Sequence, residues 1–319
     1  MKLIIQIPCL NEEESLPQTL KNLPQKIEGI DVIEVLVVDD GSTDRTAQVA
    51  QQNGVHHIVK FTKRKGLARA FAAGLDAALR HGADIIVNTD ADGQYKGEDI
   101  PRLIKPILDR EADIVIGNRD IENVRQFSFI KKKLQRLGSF VVRNLCGSTV
   151  MDATTGFRAY NREAALRLNI ISDYTYTLES IIQAESKGLA IKNIVISTND
   201  VTRKSRLFKS IPEYIKRSMM TMIRIYSMFN PFRLFVTLGT IFLGSGMLIG
   251  LRFLFYYFLN NGQGKIQSLI LTAVLLIIGF QFLVVGLVSD LIAANRRLIE
   301  DTLYRIRKLE LNSKSSQQN

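Results

Sequence analysis

Short runs of aliphatic and β-branched residues alternate with helical patterns along the first part of the chain. The runs lie at residues 3–7, 32–38, 57–61, 83–87 and 113–116. Between them, apolar residues recur at helical spacing, as across residues 67–81 and 99–110. Because no turn residues typical of β-hairpins separate the runs, the pattern predicts a doubly wound α/β domain with a mostly parallel sheet.

The last third of the chain has a different pattern. Residues 211–229 place apolar side chains on one helical face, which predicts an interfacial amphipathic helix. Residues 234–251 and 268–289 carry no charge, and each run is close to the roughly 20 residues that cross a bilayer core. The predicted organisation is therefore a catalytic domain (1–207), an interfacial helix (208–230), a transmembrane hairpin (231–292, with spans at about 232–259 and 268–290) and a cytoplasmic amphipathic helix with its tail (293–319).

Charge changes this picture by giving the hairpin a direction. The formal net charge is +11, and residues 200–319 hold 16 basic against 6 acidic side chains. These basic residues flank apolar runs, which favours anionic membrane lipids over nucleic acid as the partner. Eight lie within residues 203–233, six within 296–314 and one, Lys265, between the spans, so we expect the catalytic domain and both termini in the cytoplasm.

The main candidate for chemistry is the segment Asn88–Gln94, which follows an apolar strand. Asp90 and Asp92 are separated by one residue, and Gly93 permits the chain to bend there. Two carboxylates so placed can share one Mg²⁺ or Mn²⁺ ion, whose remaining ligands are waters and a substrate diphosphate. The alternative is a plain turn, since this pattern is also common in turns without metal.

Other candidates follow the other predicted strands. Glu12 and its neighbours are either ligands or helix-capping acids, and Asp39 and Asp40 lie where open α/β sheets bind ligands. Lys65 and Arg69 either contact a phosphate or are solvated.

Two further candidates lie after the last predicted strand. Asp152 enters a cleft or forms a structural turn before Gly156. Residues 122–146 interleave basic and aromatic side chains, so they form a solvated helix or lie near a lipid phosphate.

Taken together, the motifs resemble the inverting glycosyltransferases of family 2, which have a GT-A fold, and among them the polyprenyl-phosphate sugar synthases related to dolichyl-phosphate mannose synthase. The matching stretches occur in the family's order over residues 1 to about 210, and the two apolar helices resemble the bacterial members. The matching stretches are residues 7–12, 38–42, 90–94, 117–119, 155–158 and 203–207.

The resemblance, together with the candidates Lys65, Arg69 and Asp152 named above, implies the following roles. Nucleotide binding falls to Pro8, Asn11, Glu12, Asp39, Asp40, Lys65, Arg69 and Asp90, and metal binding to Asp90, Asp92 and Gln94. Contact with the acceptor phosphate falls to Arg119, Arg136, Ser139, Arg203, Ser205 and Arg206, and catalysis to Asp92, Asp152 and Arg119. Leu10 stands where many members carry tyrosine, so the resemblance does not identify the base.

The implied reaction is metal-dependent transfer of a hexose from a UDP- or GDP-sugar to undecaprenyl or dolichyl phosphate, with inversion, at the cytoplasmic membrane face. A phosphate acceptor is already ionised near neutral pH, so Asp152 acts either as a base or as an orienting residue. One alternative is a membrane glycosyltransferase that extends a polysaccharide or glycolipid directly, which normally needs more membrane helices. Another is a non-catalytic scaffold, which would not need the acids that are present. The sequence leaves open whether the chain forms a homo-oligomer.

Overall fold

A computed structural model of the protein describes residues 1–119, 150–171, 175–199, 219–220, 223–224, 226–227, 230–260 and 266–317. The strands within these residues are β1 (Lys2–Cys9), β2 (Val32–Asp39), β3 (His57–Lys60), β4 (Ile85–Asn88), β5 (Ile114–Arg119), β6 (Arg158–Asn161) and β7 (Ile191–Ile196). The helices are α1 (Leu16–Lys21), α2 (Thr46–Gln52), α3 (Leu67–Arg80), α4 (Ile100–Leu108), α5 (Arg162–Arg167), α6 (Tyr176–Ser186), α7 (Pro231–Asn260) and α8 (Ile266–Gln317).

The seven strands form one sheet in the order β3-β2-β1-β4-β6-β5-β7. Pairing is parallel between β1 and β2, β1 and β4, β2 and β3, and β5 and β7. Strand β6 pairs antiparallel with both β4 and β5. The predicted mostly parallel sheet is therefore confirmed, but the sequence pattern did not reveal β6, because this strand is only four residues long and begins with the charged Arg158.

Helices cover both faces of the sheet, which explains why β1, β2 and β4 are almost continuously apolar. Ile4 and Ile86 pack on the face covered by α3, α5 and α6. Leu3, Ile5 and Ile85 point to the opposite face, where they pack with α1 and α4. The strands are thus fixed in register by side chains on both faces, and their carboxyl ends are held in fixed positions.

Two compact units are present, the first formed by residues 1–222 with 303–319 and the second by residues 223–302. Residues 293–319 were predicted to form an amphipathic helix and a tail after the second span. In the structure the helix α8 runs continuously from Ile266 to Gln317. Within the first unit the end of α8 contacts α5. Tyr304 Oη donates to Glu163 Oε2 at 3.1 Å, and Arg307 Nη1 donates to Asn169 Oδ1 at 2.8 Å.

Helices α7 and α8 are both long and apolar enough to cross a membrane. Only 11% and 17% of their most apolar windows are buried inside the protein, which distinguishes them from the core helices of a globular domain. Within the second unit the two helices meet at glycines. A Cβ atom at Gly279 would lie 2.8 Å from Leu243 N and 3.0 Å from Gly239 O. The close approach of the two backbones therefore requires glycine at this position.

We expect Gly279→Ala to destabilise the helix pair and Gly244→Ala to leave it unchanged or slightly more stable. A Cβ at Gly244 meets nothing within 4 Å, and alanine is favoured over glycine in a helix by about 1 kcal/mol. Thermal unfolding followed by circular dichroism in detergent measures both variants. Equal melting temperatures for the two would show that the glycine contact does not stabilise the pair.

Candidate active site

The carboxyl ends of four strands meet at one edge of the sheet. Strands β1, β2 and β4 are parallel, and β5 runs in the same direction because both β4 and β5 are antiparallel to β6. Candidate side chains follow each end: Asn11 and Glu12 after β1, Asp39 and Asp40 at β2, Asp90 and Asp92 after β4, and Arg119 at β5. Open α/β sheets bind their ligands at this edge.

Asp90 and Asp92 lie in the turn after β4 and interact electrostatically. Gly93 adopts a positive φ of 70°, and Asp92 Oδ1 accepts a hydrogen bond from Gln94 N at 3.0 Å, which closes the turn. Burial, together with the negative charge of Asp92, raises the pKa of Asp90 to about 7. This pair of acids is electrostatically unfavourable until a cation or a proton neutralises it.

These carboxylates fit a hard divalent cation. The described residues contain no cluster of three or more His, Cys, Asp or Glu side chains that would enclose a metal by themselves. Mg²⁺ is commonly held by one or two carboxylates, several waters and a substrate phosphate, so two acids at an open edge are a sufficient protein contribution. The side chain of Gln94 is partly exposed next to them, and its role as a ligand stays a prediction.

Asp39 and Asp40 are adjacent but have different environments. Asp40 accepts hydrogen bonds from Lys65 N at 2.6 Å and Gly66 N at 2.9 Å, so it fixes the loop that leads into α3. Asp39 uses Oδ1 to accept from Ser42 N at 2.9 Å, whereas its buried Oδ2 has no hydrogen-bond partner among the described residues. Buried acceptors are almost always satisfied, so Asp39 Oδ2 is the atom suited to accept from a bound ligand.

The loop after β1 is tied to the loop after β2. Asn11 has a φ of 55°, its N–H donates to Ser42 Oγ at 2.9 Å, and its Oδ1 accepts from Thr43 N at 2.8 Å. Glu12 is buried and accepts from Ser15 Oγ at 2.6 Å. Pro8 is buried in β1. These contacts give Asn11 a structural role in shaping the loop, whatever else it binds.

The basic residues of the α3 region face solvent. Lys65 is exposed and its Nζ lies 4.3 Å from the centre of the Phe61 ring. Arg69 is exposed on the first turn of α3. Both are therefore accessible to an anion at this edge, and their contact with the nucleotide stays a prediction.

Arg119 and Asp152 form a buried ion pair. Arg119 Nε donates to Asp152 Oδ2 at 2.7 Å, and Nη2 donates to Asp152 Oδ1 at 3.1 Å and to Thr154 Oγ1 at 2.8 Å. Burial alone would raise the pKa of Asp152, but the Arg119 guanidinium outweighs it and holds that pKa below its usual value. The Asp152 carboxylate is thus paired with the Arg119 guanidinium, which favours an orienting role for Asp152 over that of a base.

Five of the six predicted acceptor residues lie outside the described residues: Arg136, Ser139, Arg203, Ser205 and Arg206. Conversely, the structure places Asn88, Tyr95 and Tyr176 beside Asp90. The sequence analysis assigned none of them a role, although Asn88 begins the predicted segment Asn88–Gln94. Tyr176 is distant in sequence and begins a helix, so no local motif marks it. The position of Asn88 at the end of a strand was the available signal, because a polar residue closing an apolar strand often faces a ligand edge.

Comparison with known proteins identifies the family of the chain. Residues 4–168, more than half of the chain, match the glycosyl transferase family 2. The chain belongs to this family. It is therefore a glycosyltransferase, and the predicted enzyme class is confirmed.

Two relatives and one solved structure illustrate the similarity. Undecaprenyl-phosphate mannosyltransferase of Micrococcus luteus is 35% identical over 207 residues, covering 62% of this chain and 83% of that protein. UDP-N-acetylglucosamine–dolichyl-phosphate N-acetylglucosaminyltransferase of Methanococcus voltae is 31% identical over 217 residues, covering 60% and 83%. Glucosyl-3-phosphoglycerate synthase of Mycobacterium tuberculosis, solved with Mn²⁺, UDP-glucose and phosphoglyceric acid, superposes with a TM-score of 0.55 at 21% identity, covering 71% and 78%. The predicted GT-A fold is confirmed.

We predict that Asp152→Asn destabilises the first unit by about 3–5 kcal/mol, because it removes the carboxylate that is hydrogen-bonded to the buried Arg119 guanidinium. Equilibrium unfolding of the purified protein by urea measures the change. Asp92→Asn is the matched control, since it removes the same charge from a partly exposed turn. Equal stability of the two variants would contradict the structural importance of the ion pair.

Proposed function

We propose that this glycosyltransferase transfers a hexose, with inversion, from a nucleotide diphosphate sugar to a polyprenyl phosphate at the cytoplasmic face of a membrane. The observation that carries the proposal is the Asp90–Asp92 pair at the carboxyl edge of a GT-A sheet, in a chain that also contains two membrane-length apolar helices. The first feature suits a metal-bound diphosphate donor, and the second suits a lipid acceptor.

On the donor side, the described residues divide into two groups. Asp39 Oδ2 and Glu12 are the acceptors for the base and ribose, with Pro8, Asn11 and Asp40 shaping the loops around them. Asp90 and Asp92, with Gln94, would hold Mg²⁺ or Mn²⁺, which supplies positive charge to the departing diphosphate. The solved structure from Mycobacterium tuberculosis contains Mn²⁺ with UDP-glucose, which supports this choice of ions.

On the acceptor side, a phosphate oxygen is itself the nucleophile and needs no strong base. Asp152 therefore keeps Arg119 in place. In this proposal the positive charge of Arg119, at the carboxyl end of β5, attracts the acceptor phosphate. The predicted acceptor residues Arg136, Ser139, Arg203, Ser205 and Arg206 complete this side, on the sequence argument that arginine forks match phosphate oxygens. The names of the two relatives, one acting on undecaprenyl phosphate and one on dolichyl phosphate, support a lipid acceptor.

The sugar and the base are left open in this proposal. One relative is named for mannose and the other for UDP-N-acetylglucosamine, so similarity at this level does not select a donor. A glycosyltransferase that extends a polysaccharide directly is the second candidate. The number of membrane-length helices among the described residues, two, disfavours it, because a channel for a polymer needs more spans.

We predict that the purified protein with Mn²⁺ transfers radiolabelled sugar into an organic-extractable lipid when undecaprenyl phosphate is present. A panel of UDP- and GDP-sugars identifies the donor. Asp92→Asn should reduce turnover by roughly a hundredfold or more, because it removes half of the proposed metal-binding charge. Its melting temperature should be no lower than that of the wild type, because the substitution removes a charge that repels Asp90.

Label that stays in the aqueous phase with every donor would overturn the lipid acceptor. Turnover that survives chelation with EDTA would overturn the metal dependence. Label that accumulates on a polymer would favour the second candidate.

We also propose that both chain termini lie in the cytoplasm, on the basis of fourteen basic residues flanking the hairpin and one between its spans. Cysteines introduced at Asn261 and Ser315 test this in intact cells. An impermeant maleimide should label Asn261→Cys and should not label Ser315→Cys until the cells are opened. Labelling of Ser315→Cys alone in intact cells would reverse the orientation.

A further inference from the structure

The glycine at position 156 lies directly against the Asp90 carboxylate. A Cβ atom at Gly156 would lie 2.8 Å from Asp90 Oδ1, 3.0 Å from Asp90 Oδ2 and 3.0 Å from Tyr176 Oη. Non-bonded carbon and oxygen atoms do not approach this closely without repulsion. Any side chain at position 156 and the present orientation of Asp90 therefore exclude each other.

Buried side chains hold the Gly156 peptide from two directions. Its N–H donates to Tyr95 Oη at 3.1 Å. Its carbonyl oxygen accepts from Asn88 Nδ2 at 2.8 Å and from Tyr176 Oη at 3.4 Å. Because these partners are buried, a shift of the Gly156 backbone would leave several polar groups unsatisfied in the interior.

The three partners of Gly156 are fixed in turn. Asn88 Oδ1 accepts from Gln6 Nε2 at 2.8 Å, and Asn88 also donates to Tyr176 Oη at 2.9 Å. The Tyr176 ring stacks on Phe71 with 3.8 Å between ring centres, and the Tyr95 ring stacks on Phe157 at 5.1 Å. These hydrogen bonds and ring stacks restrict the movement of Asn88, Tyr95 and Tyr176.

Of the atoms around Gly156, the Asp90 carboxylate is the one that can move. The Tyr176 hydroxyl is on a stacked ring and the Gly156 peptide is held at its N–H and its C=O, whereas Asp90 Oδ1 and Oδ2 are the free end of a rotatable side chain. A methyl group at position 156 would therefore turn the carboxylate away from its present direction. Burial raises the pKa of Tyr176 well above its usual value, so its hydroxyl remains a neutral donor.

We propose that Gly156 is a positioning residue that sets the direction of the Asp90 carboxylate, and that Asn88, Tyr95 and Tyr176 hold Gly156 in place for this purpose. The inference rests on the proposed function, in which Asp90 faces the metal and the donor. According to this inference, metal binding requires more than the two acids Asp90 and Asp92. The segment before β6 must also carry no side chain where it meets Asp90.

Binding of Mn²⁺ in the presence of UDP, or of GDP if the donor panel selects a GDP-sugar, tests the proposal without relying on turnover. The free Mn²⁺ signal in electron paramagnetic resonance gives the affinity for the full-length protein in detergent. Gly156→Ala should weaken Mn²⁺ binding by about tenfold or more, the scale expected when a group that orients a metal ligand is disturbed. Ile104→Ala is the control for loss of stability alone and should keep the wild-type affinity, because Ile104 is a fully buried residue of α4 that packs in the core.

The experiment distinguishes failure of the role of Gly156 from failure of the proposed function. Wild-type affinity in Gly156→Ala, with affinity lost in Asp90→Asn, would overturn the role of Gly156 and leave the proposed function intact. Wild-type affinity in both variants would overturn the metal role of Asp90 and the inference with it. Should Gly156→Ala fail to fold, Tyr176→Phe decides, because it keeps the ring stack and removes only the hydroxyl. It should weaken Mn²⁺ binding measurably, and an unchanged affinity would overturn the proposal.

Discussion

Asp90 and Asp92 repel each other at the end of β4, and the organisation of the site follows from that repulsion. Burial and the charge of Asp92 raise the pKa of Asp90 to about 7, so near neutral pH the pair holds either a proton or a cation. The strand β4 lies in the centre of the sheet between β1 and β6, and it gives the turn little freedom to separate the two acids. A divalent cation bound with a diphosphate neutralises the pair and brings the donor to the sheet edge at the same time.

A second charged pair stabilises the same edge by a different arrangement. Arg119 and Asp152 are buried and joined by two hydrogen bonds, so their charges compensate each other without any ligand. Asp90 lies close enough to Arg119 for the guanidinium to lower its pKa, although burial and Asp92 outweigh that effect. One acid pair is therefore left for the metal, while the ion pair holds an arginine in place near the position of the phosphates.

The sequence was sufficient to predict the parts of the fold that depend on periodicity. The apolar runs at β1, β2 and β4 identified a parallel sheet, and the acids after them identified its ligand edge. Two uncharged runs identified α7 and α8 as membrane-length helices. The catalytic family followed from six ordered motifs, and the match over residues 4–168 agrees with that resemblance.

Sequence patterns could not predict the features that depend on contacts between residues distant in the chain. The antiparallel strand β6 is short and starts with a buried arginine, Arg158, whose donors bind carbonyl groups such as Ala153 O and Thr177 O. Tyr176 reaches the site through a stack on Phe71, more than 100 residues earlier in the chain. The commitment of Asp152 to Arg119 was equally hidden, since a carboxylate before a glycine turn has the same sequence whether it is free or paired.

The most direct test of this account is the pH dependence of Mn²⁺ affinity, measured with UDP between pH 6 and pH 8. Because Asp90 must lose its proton before it binds a cation, affinity should fall as the pH drops below 7 and approach about a tenfold loss per pH unit. Above pH 7 it should level off. Affinity that is the same at pH 6 and pH 8 would contradict the claim that Asp90, protonated near neutral pH by burial and by Asp92, is a ligand of the metal.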